Sequence, residues 1–568
     1  MPLTLVTSLT RIRLLTRQGG GRKIMEAAAR AGVLFDEYFD YFLQCWPEYA
    51  TAVGVHTYDH MLGSFSRSSV DGRVRAFREF KKRADELLSD RTLSVPESID
   101  LTLVAGSCEM QVLEIEKMLK PWTDPTMYVE NSLFALFLLT SRDVLPMEKK
   151  ARALAARLKE FVRVLDEARQ NLENPPRVFT TTALGMLKGA AIFVNDVVPH
   201  FSKEVPGVRA ELAAGAEACL KAMSGFEAFV RDDLLPRSNG DFAAGKELFE
   251  TKMRVEHMID LDARALDKMG RELLDKTRSQ MERLSGEVAP GRNWKDVIGE
   301  RKGNHPSAEG LLGAYEDHMK KARDFVVEKK LVSIPQGETL RVVDTPAFLR
   351  TTIPYAAYLS PGAFDEKQEG IFVVTPVDRG ASAEIQDEQL RGHSYPSMVL
   401  TSLHEAYPGH HLQLIWSNRV SSKVRQICLD TVFAEGWALY CEEMMKEAGF
   451  YESKEIQMFQ LKDMLWRAAR VVIDVGLHTR TMDFDEAVEF LVSEAVVERS
   501  NAAGEVRRYT NSPTQPSSYA IGKAEILNLR RAEEERMGPR FNLAKFHEKL
   551  LSSGTIPFEL MKKEFAAG

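Results

Sequence analysis

Three of the twelve histidines lie within eight residues of the chain, at His404, His410 and His411, and Glu405 directly follows the first of them. In a common zinc-binding pattern, two histidines four residues apart share one helix face, and the glutamate after the first acts as general base. Here the fourth position after His404 is Pro408, which offers no metal-binding atom. The cluster therefore predicts metal-assisted hydrolysis only if a later histidine completes the site.

His410 and His411 are too far from His404 on a continuous helix. They would lie about 9 and 10.5 Å along its axis, whereas two nitrogens bound to one zinc ion are no more than about 4 Å apart. Pro408 and Gly409 supply a break, because proline lacks the amide hydrogen and glycine adopts backbone angles closed to other residues. We therefore expect the helix to be interrupted between the histidines. The alternative is a group of surface or core imidazoles without metal.

A catalytic zinc takes three protein ligands and leaves a position for water. Glu435 is the best candidate for the third ligand, because it follows His404 by 31 residues and lies in the apolar stretch 433–440. A buried acid is costly without a counter-charge, and a metal would supply one. A helix-start carboxylate or a salt bridge is the ordinary alternative. Glu442 and Glu443 on the same predicted helix are rival ligands or supporting groups.

Helices must position these residues, because from Glu26 onward the pattern is helical almost throughout. Apolar residues recur at three- and four-residue spacings. This periodicity predicts helices near 26–46, 70–90, 100–121, 147–171, 207–235, 260–286 and 306–330, and again beyond 395. Short β-branched runs at 340–343 and 371–374 predict a small sheet within 338–376. We expect one continuous, mainly α domain, with a helical N-terminal half over 26–335 and a C-terminal half over 336–568 that carries the metal site.

Composition limits the classes of function. Hydrophobic residues make up 44% and charged residues 28% of the chain, which is enough for a large core. The net charge of −7 and the pI near 6.0 give no basic excess for nucleic-acid binding. The sequence contains no uninterrupted apolar run of about 18 residues, so it predicts no membrane span. The five scattered cysteines form no CxxC pair and fit a reducing compartment, so we expect a cytoplasmic protein.

Residues 1–25 differ from the rest in composition, because they hold five basic residues and no acid. This Arg-rich, acid-poor composition is typical of a transit peptide, which makes a mitochondrial location the alternative to a cytoplasmic one. The other interpretation is that Met25 is the true start and that the segment is an upstream extension. In both cases we expect a disordered leader.

Two stretches carry a family resemblance. HEAYPGHHLQ at 404–413 and AEGWALY at 434–440 resemble the bacterial family catalogued as domain of unknown function 885. Stretches at 46–59, 470–479 and 519–522 resemble other signatures of that family, so the resemblance spans most of the chain. It implies a large, single-domain helical fold with a deep central cleft, similar to the zinc peptidases whose third ligand is glutamate.

The resemblance also implies a ligand set. The Gly-His pair at 409–410 is similar to the end of the zinc motif in a family of zinc carboxypeptidases and in dipeptidyl peptidase III. Aligned on that pair, His404, His410 and Glu435 would bind one Zn²⁺ ion, with His411 as the alternative to His410.

The implied activity is zinc-dependent hydrolysis of amide bonds in short peptides, by an oligopeptidase or a carboxypeptidase-like enzyme. Glu405 would act as general base on a metal-activated water, and Tyr519, by resemblance, would donate to the oxyanion. His478 lies four residues after Asp474 on one helix face and is expected to bind substrate. The ordinary alternatives are that Asp474 and His478 form a packing pair and that Tyr519 is a core tyrosine.

Other residues are weaker candidates for contacts with the substrate. Arg508, or its neighbour Arg507, would clamp a substrate carboxylate, although ordinary surface charge is the alternative. Tyr355 and Tyr358 are candidates for the lining of the cleft. The expected partner is a short peptide or small amide, and neither nucleic acid nor a membrane.

Two other classes of function stay open. One is a zinc enzyme that acts on a non-peptide amide metabolite as a hydrolase or cyclase. The other is a non-catalytic binding protein on a peptidase scaffold. Glu405 speaks against the second, because a protein that only binds does not need the base.

Overall fold

A computed structural model describes residues 19–346, 349–350, 353 and 355–567 of the chain. Helix accounts for 73% and strand for 4% of the structure, which confirms the predicted single, mainly α domain. The first helix, α1, begins at Gly19, inside the segment predicted as a leader. Residues 1–18 of that segment lie outside the described residues.

The chain up to residue 335 is helical. Its helices are α1 (Gly19–Cys45), α2 (Pro47–Val53), α3 (Arg67–Leu88), α4 (Val95–Glu116), α5 (Lys120–Thr123), α6 (Pro125–Ser141), α7 (Met147–Asn171), α8 (Arg177–Glu204), α9 (Arg209–Phe229), α10 (Lys246–Glu256), α11 (Ala263–Val288), α12 (Trp294–Arg301) and α13 (Leu311–Lys329). All the helices predicted from periodicity in this half are present.

A three-stranded sheet follows α13, as predicted. Strands β1 (Glu338–Asp344) and β3 (Gln368–Val374) pair in parallel, and β2 (Ala356–Leu359) pairs with the other edge of β3 in the antiparallel direction. The central strand β3 is the most buried of the three, in agreement with its run of β-branched and aromatic residues.

Helices again form the chain beyond the sheet. They are α14 (Ala383–Arg391), α15 (Tyr395–Glu405), α16 (His410–Ser417), α17 (Lys423–Gln426), α18 (Thr431–Glu447), α19 (Lys454–His478), α20 (Phe484–Ala495), α21 (Arg499–Asn511), α22 (Gln515–Met537), α23 (Leu543–Ser552) and α24 (Phe558–Ala567).

The larger apolar core joins both halves of the chain. Phe77 and Leu274 belong to the same buried cluster as Trp437 and Val471. Helix α11 packs along α19 so closely that a Cβ atom on Gly270 would stand 2.9 Å from a methyl carbon of Val471. A second core is built within α6 to α9 and their neighbours. The helices that carry the predicted site therefore pack directly on helices of the N-terminal half.

Helix α8 is long and apolar enough to cross a membrane by length and composition. Its most apolar window has a mean hydropathy of 1.3, and 39% of that window is buried. One face of α8, including Leu187, Ala190 and Val194, is buried in the second core. A core helix passes the same test of length and composition, so this is weak support for a membrane span.

Candidate metal centre

The predicted break between the histidines is present. Helix α15 ends at Glu405 and α16 begins at His410, so a four-residue turn separates them. The Gly409 amide donates to the Leu403 carbonyl oxygen (3.0 Å). A Cβ atom on Gly409 would stand 1.9 Å from the His404 carbonyl oxygen, so only glycine fits there. The turn folds the chain back and brings His410 to the level of His404.

A second helix holds this turn in place. The Tyr407–Pro408 peptide bond is cis, and the Pro408 carbonyl oxygen accepts a hydrogen bond from Trp437 Nε1 (2.9 Å) on α18. Helix α18 begins at an N-cap, Asp430, whose carboxylate accepts from the Phe433 amide (3.1 Å). The apolar stretch that follows the cap is buried, and Glu435 and Glu442 of α18 lie on the buried side with it.

Helix α18 also lies against α22, which carries Tyr519. The two helices meet at glycines, because a Cβ atom on Gly436 would stand 2.4 Å from the Gly522 Cα atom. Each glycine lies within one helical turn of a predicted site residue, Glu435 and Tyr519 respectively. The close contact therefore brings both side chains to the histidine turn, where the Tyr519 ring stacks on that of His404 (6.2 Å between centres).

The structure brings His404, His410 and Glu435 into one cluster, with their ligand atoms all within 4.8 Å of one another. Glu435 Oε2 lies 3.2 Å from His410 Nε2 and 3.6 Å from His404 Nε2. This oxygen is buried and accepts no aligned hydrogen bond from any described residue. Two imidazole nitrogens and one oxygen that converge in this way, rather than bonding to one another, fit a shared metal ion.

Glu442 and Glu443, the rival ligands, lie outside the cluster. Glu442 Oε1 accepts a hydrogen bond from His404 Nδ1 (3.0 Å) and so turns His404 Nε2 toward Glu435. Glu443 Oε2 accepts from Gln460 (2.9 Å) and from Lys523 (3.3 Å). Glu442 therefore orients a candidate ligand, whereas Glu443 connects α18 to the neighbouring helices α19 and α22.

His411 points away from the cluster. Its Nε2 donates to Glu338 Oε2 (2.7 Å) on β1, and its Nδ1 accepts from the Tyr358 hydroxyl (3.0 Å) on β2. Both ring nitrogens are therefore occupied by the sheet. The geometry places His410, and not the alternative His411, beside Glu435.

Opposed effects set the charges in the cluster. Burial lowers the pKa of His404, but its contacts with Glu435 and Glu442 outweigh burial and raise it to about 9. Burial raises the pKa of Glu435, but His410 and His404 hold it well below its usual range. Burial also raises the pKa of Glu405, and the two histidines only partly offset that effect. Glu405 is therefore a better proton acceptor than an exposed carboxylate.

A cavity of about 330 Å³ opens at the cluster. Glu405 and Tyr519 line it, as do Tyr355 and Tyr358 from the sheet region. Tyr519 is buried, with 8% of its surface exposed, and no hydrogen bond to its hydroxyl group is found among the described residues. Glu405, Tyr519 and the cluster of His404, His410 and Glu435 therefore line one cavity. The deep central cleft stays a prediction.

The two residues expected to bind substrate have different surroundings. His478 does not line the cavity: it is buried, its Nδ1 accepts from the Ala244 amide (3.3 Å) and its Nε2 donates to the Tyr509 carbonyl oxygen (3.1 Å). Arg508 lines the cavity, whereas Arg507 is exposed on the outer face of α21. Of the two arginines, only Arg508 is therefore available to a ligand at the cluster.

Sequence reasoning missed a group of charged residues in the cavity wall. They are Lys302, Lys462, Asp463, Arg467, Arg470 and Glu505. Four of them, Lys462, Asp463, Arg467 and Arg470, recur at helical spacings within α19, which is otherwise mostly buried. This charged stripe is visible in the sequence and could have indicated a cavity wall.

Comparison with solved structures finds the same fold in two bacterial proteins. One, from Shewanella oneidensis, is 23% identical with a TM-score of 0.77, and the match covers 95% of this chain and all of that chain. The other, from Colwellia psychrerythraea, is 17% identical with a TM-score of 0.79, and the match covers 95% of this chain and 98% of that one. No curated protein matches the chain.

These matches correct the predicted cytoplasmic location, which is wrong on this comparison. Both solved proteins are described as a "putative lipoprotein", and lipoproteins are held at a membrane by an attached lipid. The scattered cysteines, on which the prediction depended, exclude a disulfide framework but do not specify a compartment.

The resemblance seen in the motifs is confirmed at the level of the family. The family described as bacterial protein of unknown function (DUF885) matches residues 47–565, which include all the helices around the cluster. The chain therefore belongs to the DUF885 family.

Proposed function

We propose that this protein is a zinc-dependent hydrolase that cleaves amide bonds in short peptides. The proposal rests on one observation above all: ligand atoms of His404, His410 and Glu435 lie within 4.8 Å of one another, beside Glu405, at the wall of a cavity. Two imidazoles and one carboxylate are a donor set of catalytic zinc, which keeps a further position free for water.

Zinc would act as a Lewis acid toward water and a carbonyl oxygen when bound. The chain's own residues handle the protons and the orientation. Glu405 accepts the proton of the attacking water and delivers it to the leaving nitrogen, a role that its raised pKa favours. The Tyr519 hydroxyl donates to the oxygen on which negative charge develops. Glu442 keeps His404 in the tautomer that presents Nε2.

The size of the cavity supports a small substrate. About 330 Å³ is at the lower end of ligand pockets, which range from roughly 300 to 1,000 Å³. An extended chain of a few residues fits such a space, and a folded protein does not.

Metal analysis of the purified protein tests the proposal. We expect one zinc ion per chain, loss of peptide hydrolysis on chelation and its return on addition of zinc. Glu405→Gln should keep the metal and lose about 10²- to 10⁴-fold in kcat, as expected for a general base. A protein that binds no zinc, or a Glu405→Gln variant with full activity, would contradict the proposal.

A further inference from the structure

The cavity wall beside the cluster carries more cations than carboxylates. Five cationic side chains line it, at Lys302, Lys462, Arg467, Arg470 and Arg508. Three carboxylates pair with them, at Asp463, Glu498 and Glu505. Asp463 and Glu505 each pair with two of the cations, so apart from His404, His410, Glu435 and Glu405 this set carries two more positive than negative charges.

Arg470 has an incomplete set of hydrogen bonds. Its Nε donates to the Tyr509 hydroxyl (2.7 Å) and its Nη2 donates to Glu505 Oε2 (2.9 Å). Its Nη1 is buried and has no hydrogen-bond partner among the described residues. Only 5% of Arg470 is exposed, and an unpaired donor at such depth is costly. No residue in the described part of the chain supplies the missing acceptor.

Arg508 lies next to Arg470, because its Nη2 donates to the same Glu505 oxygen (2.9 Å). Its Nη1 donates to Gln515 (2.8 Å), and 33% of its side chain is exposed. Glu505 accepts from both arginines and so fixes two guanidinium groups side by side. Such a pair is suited to a carboxylate, because planar guanidinium donors match its two oxygens.

Tyr519 connects this pair to the metal cluster. The Arg470 guanidinium carbon lies 4.5 Å from the centre of the Tyr519 ring, which in turn lies 6.2 Å from the His404 ring. One residue of extended chain spans about 3.3–3.6 Å. The two contacts together span at most about 10.7 Å, so a peptide whose scissile carbonyl is at the cluster reaches the arginines with no more than about three residues.

We propose that Arg470 and Arg508 bind a free carboxylate within about three residues beyond the scissile amide, so that the enzyme shortens peptides from their C-terminal end. This inference rests on the proposed function and specifies its substrate. The hydroxyl group of water bonds to the scissile carbonyl carbon, the bond between that carbon and the amide nitrogen breaks, and the other hydrogen of the water goes to the leaving nitrogen. The products are a shortened peptide and an amino acid or short peptide that carries the bound carboxylate.

Calorimetry with the full-length Glu405→Gln variant, which should keep the metal and lose activity, tests the subsite without turnover. The probes are an N-blocked tripeptide of neutral residues with a free C-terminal carboxylate and the same peptide as its C-terminal amide. We expect the free acid to bind at least tenfold more tightly. Equal binding, or binding of neither peptide, overturns the inference but leaves the proposed hydrolysis to be judged by turnover with the wild-type protein. Preferential binding of the acid without any hydrolysis by the wild-type protein sustains the carboxylate subsite and overturns the proposed function.

A third peptide separates two sources of carboxylate. It ends in a glutamate whose α-carboxylate is amidated, so that only the side chain is charged. We expect it to bind as weakly as the neutral amide. Binding as tight as that of the free acid would assign the arginines to acidic side chains and overturn the C-terminal assignment.

Two variants test the arginines themselves. Arg508→Gln should lower the affinity for the free acid about tenfold and leave the affinity for the amide unchanged, with Arg507→Gln, the exposed neighbour, as the matched control. Arg470→Lys keeps the charge but loses the planar guanidinium group. It should therefore lower the preference for the free acid by less than Arg508→Gln does. Circular dichroism checks folding. Full preference for the acid in both variants contradicts the inference.

Discussion

Gly522 of α22 packs against the first turn of α18, so closely that a Cβ atom on Gly522 would stand 1.9 Å from the Val432 carbonyl oxygen. This contact joins the helix that carries Glu435 to the helix that carries Tyr519. The geometry of the candidate site therefore requires that neither Gly522 nor Gly436 carries a Cβ atom.

Gly522→Ala should push α22 away from α18. We expect a loss of about 1–3 kcal/mol in the free energy of unfolding, as for other overpacked contacts, and weaker zinc binding because Glu435 shifts. Urea unfolding and zinc titration measure the two effects. Gly504→Ala is the control, because a Cβ atom there meets open space, and it should be neutral or slightly stabilising. Normal zinc affinity in Gly522→Ala would show that the crossing does not position the ligands.

Substitution of the two adjacent histidines should give opposite results. His410→Ala removes a ligand, and we expect the purified variant to contain little zinc. His411→Ala should retain zinc but unfold at lower urea concentration, because Glu338 loses a buried hydrogen-bond donor, at about 1–3 kcal/mol. Metal analysis and urea unfolding of both variants distinguish the roles, and the reverse pattern would assign the metal to His411.

Glu442→Gln should weaken zinc binding without removing a ligand. The amide no longer holds the imidazole of His404 by a charged hydrogen bond, and loss of such a partner typically costs about 10- to 100-fold in metal affinity. Competition with a chelator measures this. Glu443→Gln on the same helix is the control, since its carboxylate bonds to Gln460 and Lys523 instead. Equal effects of the two substitutions would mean that charge alone, and not orientation, matters.

Acid should destabilise the metal-free protein through buried neutral histidines. His547 is an example: its Nδ1 donates to the Leu331 carbonyl oxygen, its Nε2 accepts from the Tyr440 hydroxyl, and burial lowers its pKa to about 4. Because the unfolded chain binds the proton more readily, stability from His547 is complete above pH 6.5 and is lost as the pH falls toward 4. The loss amounts to about 3 kcal/mol.

His547→Gln tests this, because glutamine keeps one donor and one acceptor but does not titrate. Urea unfolding of the metal-free protein at pH 7.5 and at pH 4.5 should show a smaller difference in the variant than in the wild type. His200→Gln, at an exposed position on α8, should leave the difference unchanged. An unaltered pH dependence in His547→Gln would show that other groups cause the acid sensitivity.

Local chain chemistry accounts for the parts of the site that could be predicted. Pro408 and Gly409 predicted the helix break, because proline cannot continue the backbone hydrogen bonds of the preceding turn and Gly409 has no Cβ atom to strike the His404 carbonyl. The choice of His410 over His411 depends on tertiary contacts. His411 is held by Glu338 and Tyr358, which come from separate strands far earlier in the chain.

The fold shows the same limit. Periodicity predicted the amphipathic helices, but it gave no signal for α6, whose buried apolar residues surround the helix on all sides. Helical spacing also suggested a pair between Asp474 and His478. The two side chains do lie close together, with His478 Nε2 3.8 Å from Asp474 Oδ1. Their hydrogen bonds, however, go elsewhere: Asp474 accepts from Ser517 at the start of α22 (2.5 Å from its hydroxyl), and His478 donates to the Tyr509 carbonyl oxygen of α21. Both partners come from other helices, which one-dimensional spacing cannot indicate.

The shared core of the two halves has a consequence for how the chain can be divided. Gln336 and Gly337, just before β1, are exposed, whereas Phe77 and Trp437 on either side of them are buried in one cluster. A single cut at this loop would leave two fragments that still complete each other's interior. Neither fragment alone could cover the apolar surface of this cluster, so the segment that carries His404, His410 and Glu435 is not a transferable module and persists only as one part of a two-piece complex.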